Sequence, residues 1–525
     1  MRQGYRILPV YAGDVSGAAS ALYELGGMCV IHDPSGCNST YNTHDEIRWF
    51  DQDSLIFISA LQDLDAIMGN DEKLIDDVLE AAAAFRPKFI ALMNSPIPYI
   101  MGTDFPAISR IIEERSGIPT FYVPTNAMHD YVRGAGLAWK MLAEKMLFKE
   151  ALPGKLPESI ATKSGKRKKA FTAKGRVNIL GLTPLDFTAE GSVQSLISFL
   201  QEEGWHVQSD WALEVAQGIA EADQCFAEAD DIAKTEEAFA DSSNSVGKKG
   251  DEPKKRDGSA WETLLSAPQA DLNLLLSSTG LPLAEFMQKK AGIPYVAGIP
   301  VYGFREELAQ AMERACQSRQ SIIAYIEADL NTEENTVAKA KVAAEESTVR
   351  KAKAAAEKST VAKTKAVAEE STVAKVKAAV KECAVADGKS AEDVRITQEE
   401  ASSAEMQLVL IGEPVIMGSL AAALEKITGC PARVFVATED GEKLIDPARD
   451  LILWGEEEVE SALQKYVEEV GENKLLVIAD PMYRPILPAG CHFLPLPHFA
   501  FSGRIYRREM KNLFSDEMKE WMKLI

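Results

Sequence analysis

Residues 26–38 read Gly26-Gly27-Met28-Cys29-Val30-Ile31-His32-Asp33-Pro34-Ser35-Gly36-Cys37-Asn38. The spacing predicts a strand over Cys29–His32, a tight Pro34-Ser35-Gly36 turn, and a helix that Cys37 opens. A strand that passes through a short turn into a helix is the unit of a parallel sheet, since parallel neighbours need a crossover. The alternation continues outward. Strands are expected at Arg6–Ala12, Lys88–Met93 and Thr120–Val123, and helices at Ala18–Leu25, Lys73–Phe85, Phe105–Arg115 and Gly134–Phe148. Residues 1–152 therefore read as a first α/β domain.

Residues 153–173 are rich in Pro, Gly, Ser and Lys without periodicity, and read as a linker. The pattern restarts at Arg176, with a helix over Ser192–Glu203, a strand in the DLNLLLSS run from Asp271, a helix over Pro282–Lys290 and a strand at Tyr295–Ala297. This makes 174–326 a second α/β domain, interrupted by a polar insertion at 216–258. A third runs over 406–525, from MQLVLIGEP through a helix at Met417–Thr428 to strands in ARVFVATED and at Leu475–Ala479. Between the last two domains, 331–405 is a low-complexity insertion. Its residues 337–384 repeat a twelve-residue unit, VAKAKVAAEEST and its variants. Ala, Lys and Glu favour helix. Twelve residues advance the helical phase by about 120° beyond whole turns, so no single apolar seam forms and a solvated helix or spacer is expected.

The chain has 525 residues and a formal net charge of −22. The two insertions absorb enough length to leave a body suited to three domains of ordinary size. They carry little of the acidity, which belongs to the globular body. That balance argues against nucleic-acid binding, which needs clustered Lys and Arg. No apolar run reaches the ~18 residues of a membrane span, and the N-terminal residues lack a signal-peptide pattern. Seven cysteines without repeated spacing do not suggest a secreted disulfide framework, so a cytoplasmic protein is expected.

No G-x-x-x-x-G-K-[ST] loop and no strand-linked G-x-G-x-x-G is present, which disfavours ATP hydrolysis and dinucleotide binding by this chain. With no H-E-x-x-H or C-x-x-C and only six histidines, a zinc site of usual spacing is not expected. The chemistry concentrates at 26–38. A helix N-terminus favours thiolate at Cys37, and thiolate is the form that binds iron or attacks as a nucleophile. Cys29 lies within the strand, where a cysteine is often a small core hydrophobe.

VIHDPSGC at 30–37 resembles the His-Gly-Pro-x-Gly-Cys turn of nitrogenase component 1 and its relatives, among them the dark-operative protochlorophyllide reductases, the nickel-sirohydrochlorin reductases and cofactor-assembly scaffolds. The resemblance continues in order along the chain. VYAGDVSGAASAL at 10–22 is similar to the opening segment, and Ile100-Met101-Gly102-Thr103-Asp104 to an Ile-Gly-Asp-Asp element. PTFYVPTNAMHDYVRGAGLAWKML at 119–142 resembles the close of domain one, and DLNLLLSSTGLPLAEFMQKKAGIPYV at 271–296 a segment of domain two. LVLIGEPVIMGSLAAAL at 408–424 resembles the Gly-Asp-Pro start of domain three, and LPLPHFAFSGRIY at 494–506 its late Ser-Gly loop. The resemblance implies three Rossmann-like parallel-sheet α/β domains of nitrogenase component 1 type. It also implies a redox subunit that takes electrons from an ATP-dependent iron protein through an iron-sulfur cluster.

The departures shape the expectation further. Of the three cluster cysteines of the family, only Cys37 has a counterpart, and Cys29 is an extra thiol. A [4Fe-4S] cluster shared between two subunits, through Cys29 and Cys37 of each, is the cofactor that count suggests. The family's molybdenum–iron cofactor is held by a domain-two cysteine and a domain-three histidine. The first position falls near Leu276-Ser277-Ser278, without a thiol; the second falls close to His498. The resemblance thus implies a cofactor or substrate cavity at His498, Ser502 and Gly503, and a reaction other than dinitrogen reduction. Any second metallocofactor and the catalytic residues stay unassigned. The expected partners are an identical or related subunit in a dimer and an iron-protein-like ATPase, with no nucleic acid and no membrane. Two alternatives remain: an assembly scaffold for a metallocofactor or tetrapyrrole without turnover, and a cluster-free binding protein on the same fold.

Overall fold

A computed structural model describes residues 6–23, 25–34, 55–147, 174–187, 189, 191–211, 263–330 and 406–525. The linker, the polar insertion, the repeat and Cys37 lie outside the described residues. The described parts contain three sheets, all parallel. The described residues up to Asp329 and from Met406 onward form one compact unit.

The first sheet comprises β1 (Met28–His32), β2 (Leu55–Ile58), β3 (Ile90–Asn94) and β4 (Thr120–Val123), in the order β2-β1-β3-β4. Every residue of β1 is buried, so the strand is covered on both faces, as expected of an all-parallel sheet. Met28 and Val30 pack with Leu74 and Ile75 of the Asp71–Phe85 helix and with Ile108 and Ile112 of the Phe105–Ser116 helix. Cys29 and Ile31 belong to the opposite layer, with Leu22 of the Asp14–Leu22 helix and Trp139 of the Tyr131–Met146 helix. These last two helices cross at glycines. A Cβ at Gly17 would overlap the Tyr131 carbonyl, and one at Gly134 would overlap the Asp14 carbonyl. The close approach fixes where the start of the Tyr131–Met146 helix sits, which matters for the site below.

The second sheet comprises β5 (Gly175–Leu180), β6 (Trp205–Asp210), β7 (Leu272–Leu275), β8 (Tyr295–Ala297) and β9 (Ile322–Ile323), in the order β6-β5-β7-β8-β9. The third comprises β10 (Gln407–Gly412), β11 (Ala432–Val436), β12 (Leu451–Ile452), β13 (Leu475–Ala479) and β14 (Cys491–Pro495), in the order β12-β11-β10-β13-β14. The strand order reverses direction between β1 and β3, between β5 and β7, and between β10 and β13. In open parallel sheets a crevice forms at the carboxyl ends of such strand pairs, where the outgoing loops diverge. One apolar cluster runs from Trp139 through Leu180, Leu275 and Leu281 to Leu410 and Met417, so the three sheets share a core.

The expected strand at Arg6–Ala12 is absent. The N–H groups of Arg6, Ile7 and Leu8 all converge on Oε2 of Glu456, at 2.9, 2.7 and 2.8 Å. Three consecutive amides aimed at one oxygen cannot alternate sides as a sheet ladder requires. The carboxylate, at the start of the Glu456–Val470 helix, therefore replaces a neighbouring strand.

Candidate functional site

The reversal points of domains two and three meet at a buried polar cluster. Asp186 follows β5, Ser277 and Ser278 follow β7, Glu413 follows β10, Asp480 follows β13, and His498 follows β14. Tyr131 reaches the cluster from domain one, at the first turn of its helix. All of these are buried.

Asp186 accepts four hydrogen bonds. Its Oδ1 takes the hydroxyls of Tyr131 (2.8 Å) and Ser277 (3.0 Å). Its Oδ2 takes the Thr183 N–H (2.7 Å) and the Thr183 hydroxyl (3.2 Å). Tyr131 thus spends its one proton on Asp186, and the 3.1 Å contact between the Tyr131 oxygen and His498 Nε2 must carry a proton donated by the imidazole. That assigns His498 the Nε2–H tautomer and leaves Nδ1 a bare acceptor, without a hydrogen-bond partner among the described residues. Burial pushes the His498 imidazole down to about 3, so it is neutral. Phe187 stacks on the ring at 4.1 Å between centroids, and Tyr11 meets it edge-on at 5.4 Å. The backbone is held as well, since His498 N–H donates to Asp480 Oδ2 at 2.7 Å.

Glu413 bridges domains. Its Oε1 accepts the Ser278 N–H of domain two at 2.7 Å, and its Oε2 accepts the Ile416 N–H of its own helix, Pro414–Thr428, at 2.8 Å. Burial, with a contribution from the charge of Asp186, raises the Glu413 carboxyl to about 7. Burial also raises Asp186 and, above all, Tyr131.

The expected cavity residues fall here in different ways. His498 sits in the cluster. Ser502 is buried and donates its hydroxyl to the His498 carbonyl at 3.2 Å. Gly503 ends the short Phe499–Ser502 helix with a φ of 60°. Asp186, Tyr131 and Glu413 were not among the expected site residues. Of these only Glu413 has a positional signal: it directly follows the apolar run LVLIG, as Ser277 and Ser278 directly follow LLL. Polar side chains placed where a buried strand ends are candidates for a crevice.

Cys29 is 1% exposed, in the layer between β1 and the Tyr131–Met146 helix, and burial pushes its thiol up to about 12. It is a neutral core thiol, and the described residues around it do not fit a thiolate ligand of an iron-sulfur cluster. The expected thiol pair thus has one member in the core and the other outside the described residues. The three-domain cluster does not fit a large metal cluster either. It offers one imidazole and no thiol, its carboxylates are occupied by protein donors, and no group of three or more His, Cys, Asp or Glu able to hold a metal is present among the described residues. No helix among the described residues is long and apolar enough to cross a membrane.

Residues 14–386 match the model of the nitrogenase component 1 type oxidoreductase family. Among solved structures, "Nitrogenase Cp1 at pH 6.5" is similar over 100% of this chain and 93% of its own, with a TM-score of 0.54 and 14% sequence identity, which shows the fold. A second, "Nitrogenase Cp1 at pH 5", covers 100% of this chain and 92% of its own at a TM-score of 0.46 and 13% identity. No curated protein matches.

Proposed function

We propose a function from one premise: the chain belongs to the nitrogenase component 1 type oxidoreductase family. It is an oxidoreductase-type subunit that works in a dimer with a copy of itself or a related chain. Electrons come from an iron-protein-like ATPase on another polypeptide, consistent with the absence of a phosphate loop from this sequence. The observation that carries the reading is the family match together with a neutral, buried His498 where the reversal points of domains two and three meet. Substrate would bind in that inter-domain region, with His498, Ser502 and Gly503 on its domain-three side. By the sequence resemblance, the thiol position of the catalytic relatives falls near Leu276-Ser277-Ser278, which has no cysteine and so supports a substrate other than dinitrogen. An iron-sulfur cluster would supply one-electron transfer. Its thiol on this chain is then Cys37, since Cys29 is in the core.

The burial of Cys29 also supports a second reading, a cluster-free binding protein on the same fold. Anaerobic purification followed by iron and sulfide analysis and electron paramagnetic resonance separates the two. The redox reading expects stoichiometric iron and a reducible cluster signal that Cys37→Ser removes. Iron-free protein after strictly anaerobic preparation would sink it.

A further inference from the structure

Two of the three buried carboxylates of the three-domain cluster, Asp186 and Glu413, have no cation bound to them among the described residues. Asp186 and Glu413 are both 0% exposed. Every hydrogen bond they accept comes from a neutral group, and neither forms an ion pair with Lys, Arg or His among the described residues. The groups that face Glu413 are Asp186 from the loop after β5, Tyr131 from the Tyr131–Met146 helix and Tyr325 from the Ala324–Leu330 helix. Arg449, which acts on Tyr325, is committed to Asp450 at 2.9 Å. Two uncompensated charges held this deeply repel each other and lose hydration, so the folded state favours holding a proton on one of them.

The hydrogen bonds say which. Asp186 has four donors, two on each oxygen, so a proton there would displace one of them. Glu413 accepts three backbone N–H groups, Ser278 at 2.7 Å, Ile416 at 2.8 Å and Val415, one fewer than Asp186, so a proton fits there without displacing any of them. Ser278, whose N–H Glu413 accepts, also has a hydroxyl oxygen without a partner among the described residues, an acceptor a protonated carboxyl could use.

We infer that Glu413 is a proton-binding site at the joint of domain two and domain three: one proton held at this carboxyl removes a buried charge beside Asp186, and its release, which leaves two uncompensated buried charges, destabilises the closed joint. The inference does not depend on the redox reading. The direction of the pH effect follows from linkage. A carboxyl whose value rises from 4.5 in the unfolded chain to about 7 in the fold costs nothing while both forms are protonated. Its destabilising effect grows as pH rises through that window and is complete above it. Asp130, which burial raises to about 7, adds a slope of its own, so the readout is a difference between variants.

The test uses the full chain. Thermal unfolding is followed from about pH 5 to pH 9 for wild type, Glu413→Gln and Asp186→Asn. The carbonyl stretch of protonated carboxyls is followed by infrared spectroscopy over the same range. Gln at 413 replaces one acceptor oxygen by an amide, so that variant melts lower throughout, and the slope is what matters. The expected result is a wild-type melting temperature that falls by several degrees more than that of Glu413→Gln. A protonated-carboxyl band that disappears near pH 7 is also expected, and it is weaker in Glu413→Gln, where Asp130 alone supplies it. Parallel slopes, or no such band in wild type at about pH 5.5, would overturn the inference. A band that keeps its full strength in Glu413→Gln and weakens in Asp186→Asn would also overturn it, by placing the proton on the other carboxyl. The same spectra on an Asp130→Asn background, which removes the other carboxyl raised to about 7, assign the band to Glu413 even if Glu413→Gln fails to fold.

Discussion

At the end of β10, Glu413 is wholly buried and both its oxygens are occupied by backbone N–H groups from two domains. At the end of β1, His32 is also buried, with Nδ1 2.7 Å from the Ser59 hydroxyl and Phe105 edge-on at 5.8 Å. The surroundings differ. The short helices that follow β2 and β3, Asp63–Met68 and Pro96–Met101, expose Leu64, Ile67, Met68 and Ile100 to between 72 and 78%. Both places are reversal points of parallel sheets, where side chains converge on a crevice. One is completed by residues of the same chain from all three domains. The other carries apolar surface that the described residues leave in solvent. The same backbone geometry thus serves once as an internal joint and once, among the described residues, as an outward face.

The largest expected effect is at the joint. Asp186→Ala removes the acceptor of the Tyr131 and Ser277 hydroxyls and of two Thr183 donors. Orphaned buried donors cost roughly 1–3 kcal/mol each, so stability should fall by about 3 kcal/mol or more, measured by urea unfolding. A loss within experimental error would mean that the joint is held by apolar packing alone, and the contrast with the β1 end would weaken.

Cys29→Ser tests the first domain from inside. It places a hydroxyl among Leu22, Phe89 and Trp139, at a cost of about 1–3 kcal/mol if no hydrogen bond forms. Iron content of anaerobically prepared protein should be unchanged. Loss of iron with the fold intact would show that the thiol is reached by a cluster after all.

These two residues also show what the sequence discloses and what it hides. The strands were legible because parallel strands covered on both faces are plain apolar runs. Thr120–Val123, Tyr295–Ala297 and Leu475–Ala479 appear where the pattern predicts them. Cys29 was ambiguous for the same reason: inside such a run, nothing distinguishes a ligand from a core residue. His498 stood out through its ordered motif. Asp186 did not, because LTPLDFT carries no periodic signal and its importance arises only when Tyr131, some 55 positions earlier, is brought to it. The segment at Arg6–Ala12 misled for a related reason. Its amides pair with a carboxylate about 450 positions away, which no local pattern records.

The smallest expected effect lies on the outward face. The double substitution Leu64→Ser and Ile67→Ser removes two side chains that are 72 and 78% exposed, in a helix with no buried residue. Surface changes of this kind stay within about 0.5 kcal/mol, so the melting temperature should hardly move while the aqueous surface becomes more polar. A drop comparable to that of Asp186→Ala would mean that these side chains are covered in the folded protein by residues beyond those described. The two reversal points would then be finished by the same means, from within the chain, and the distinction between joint and face would fail.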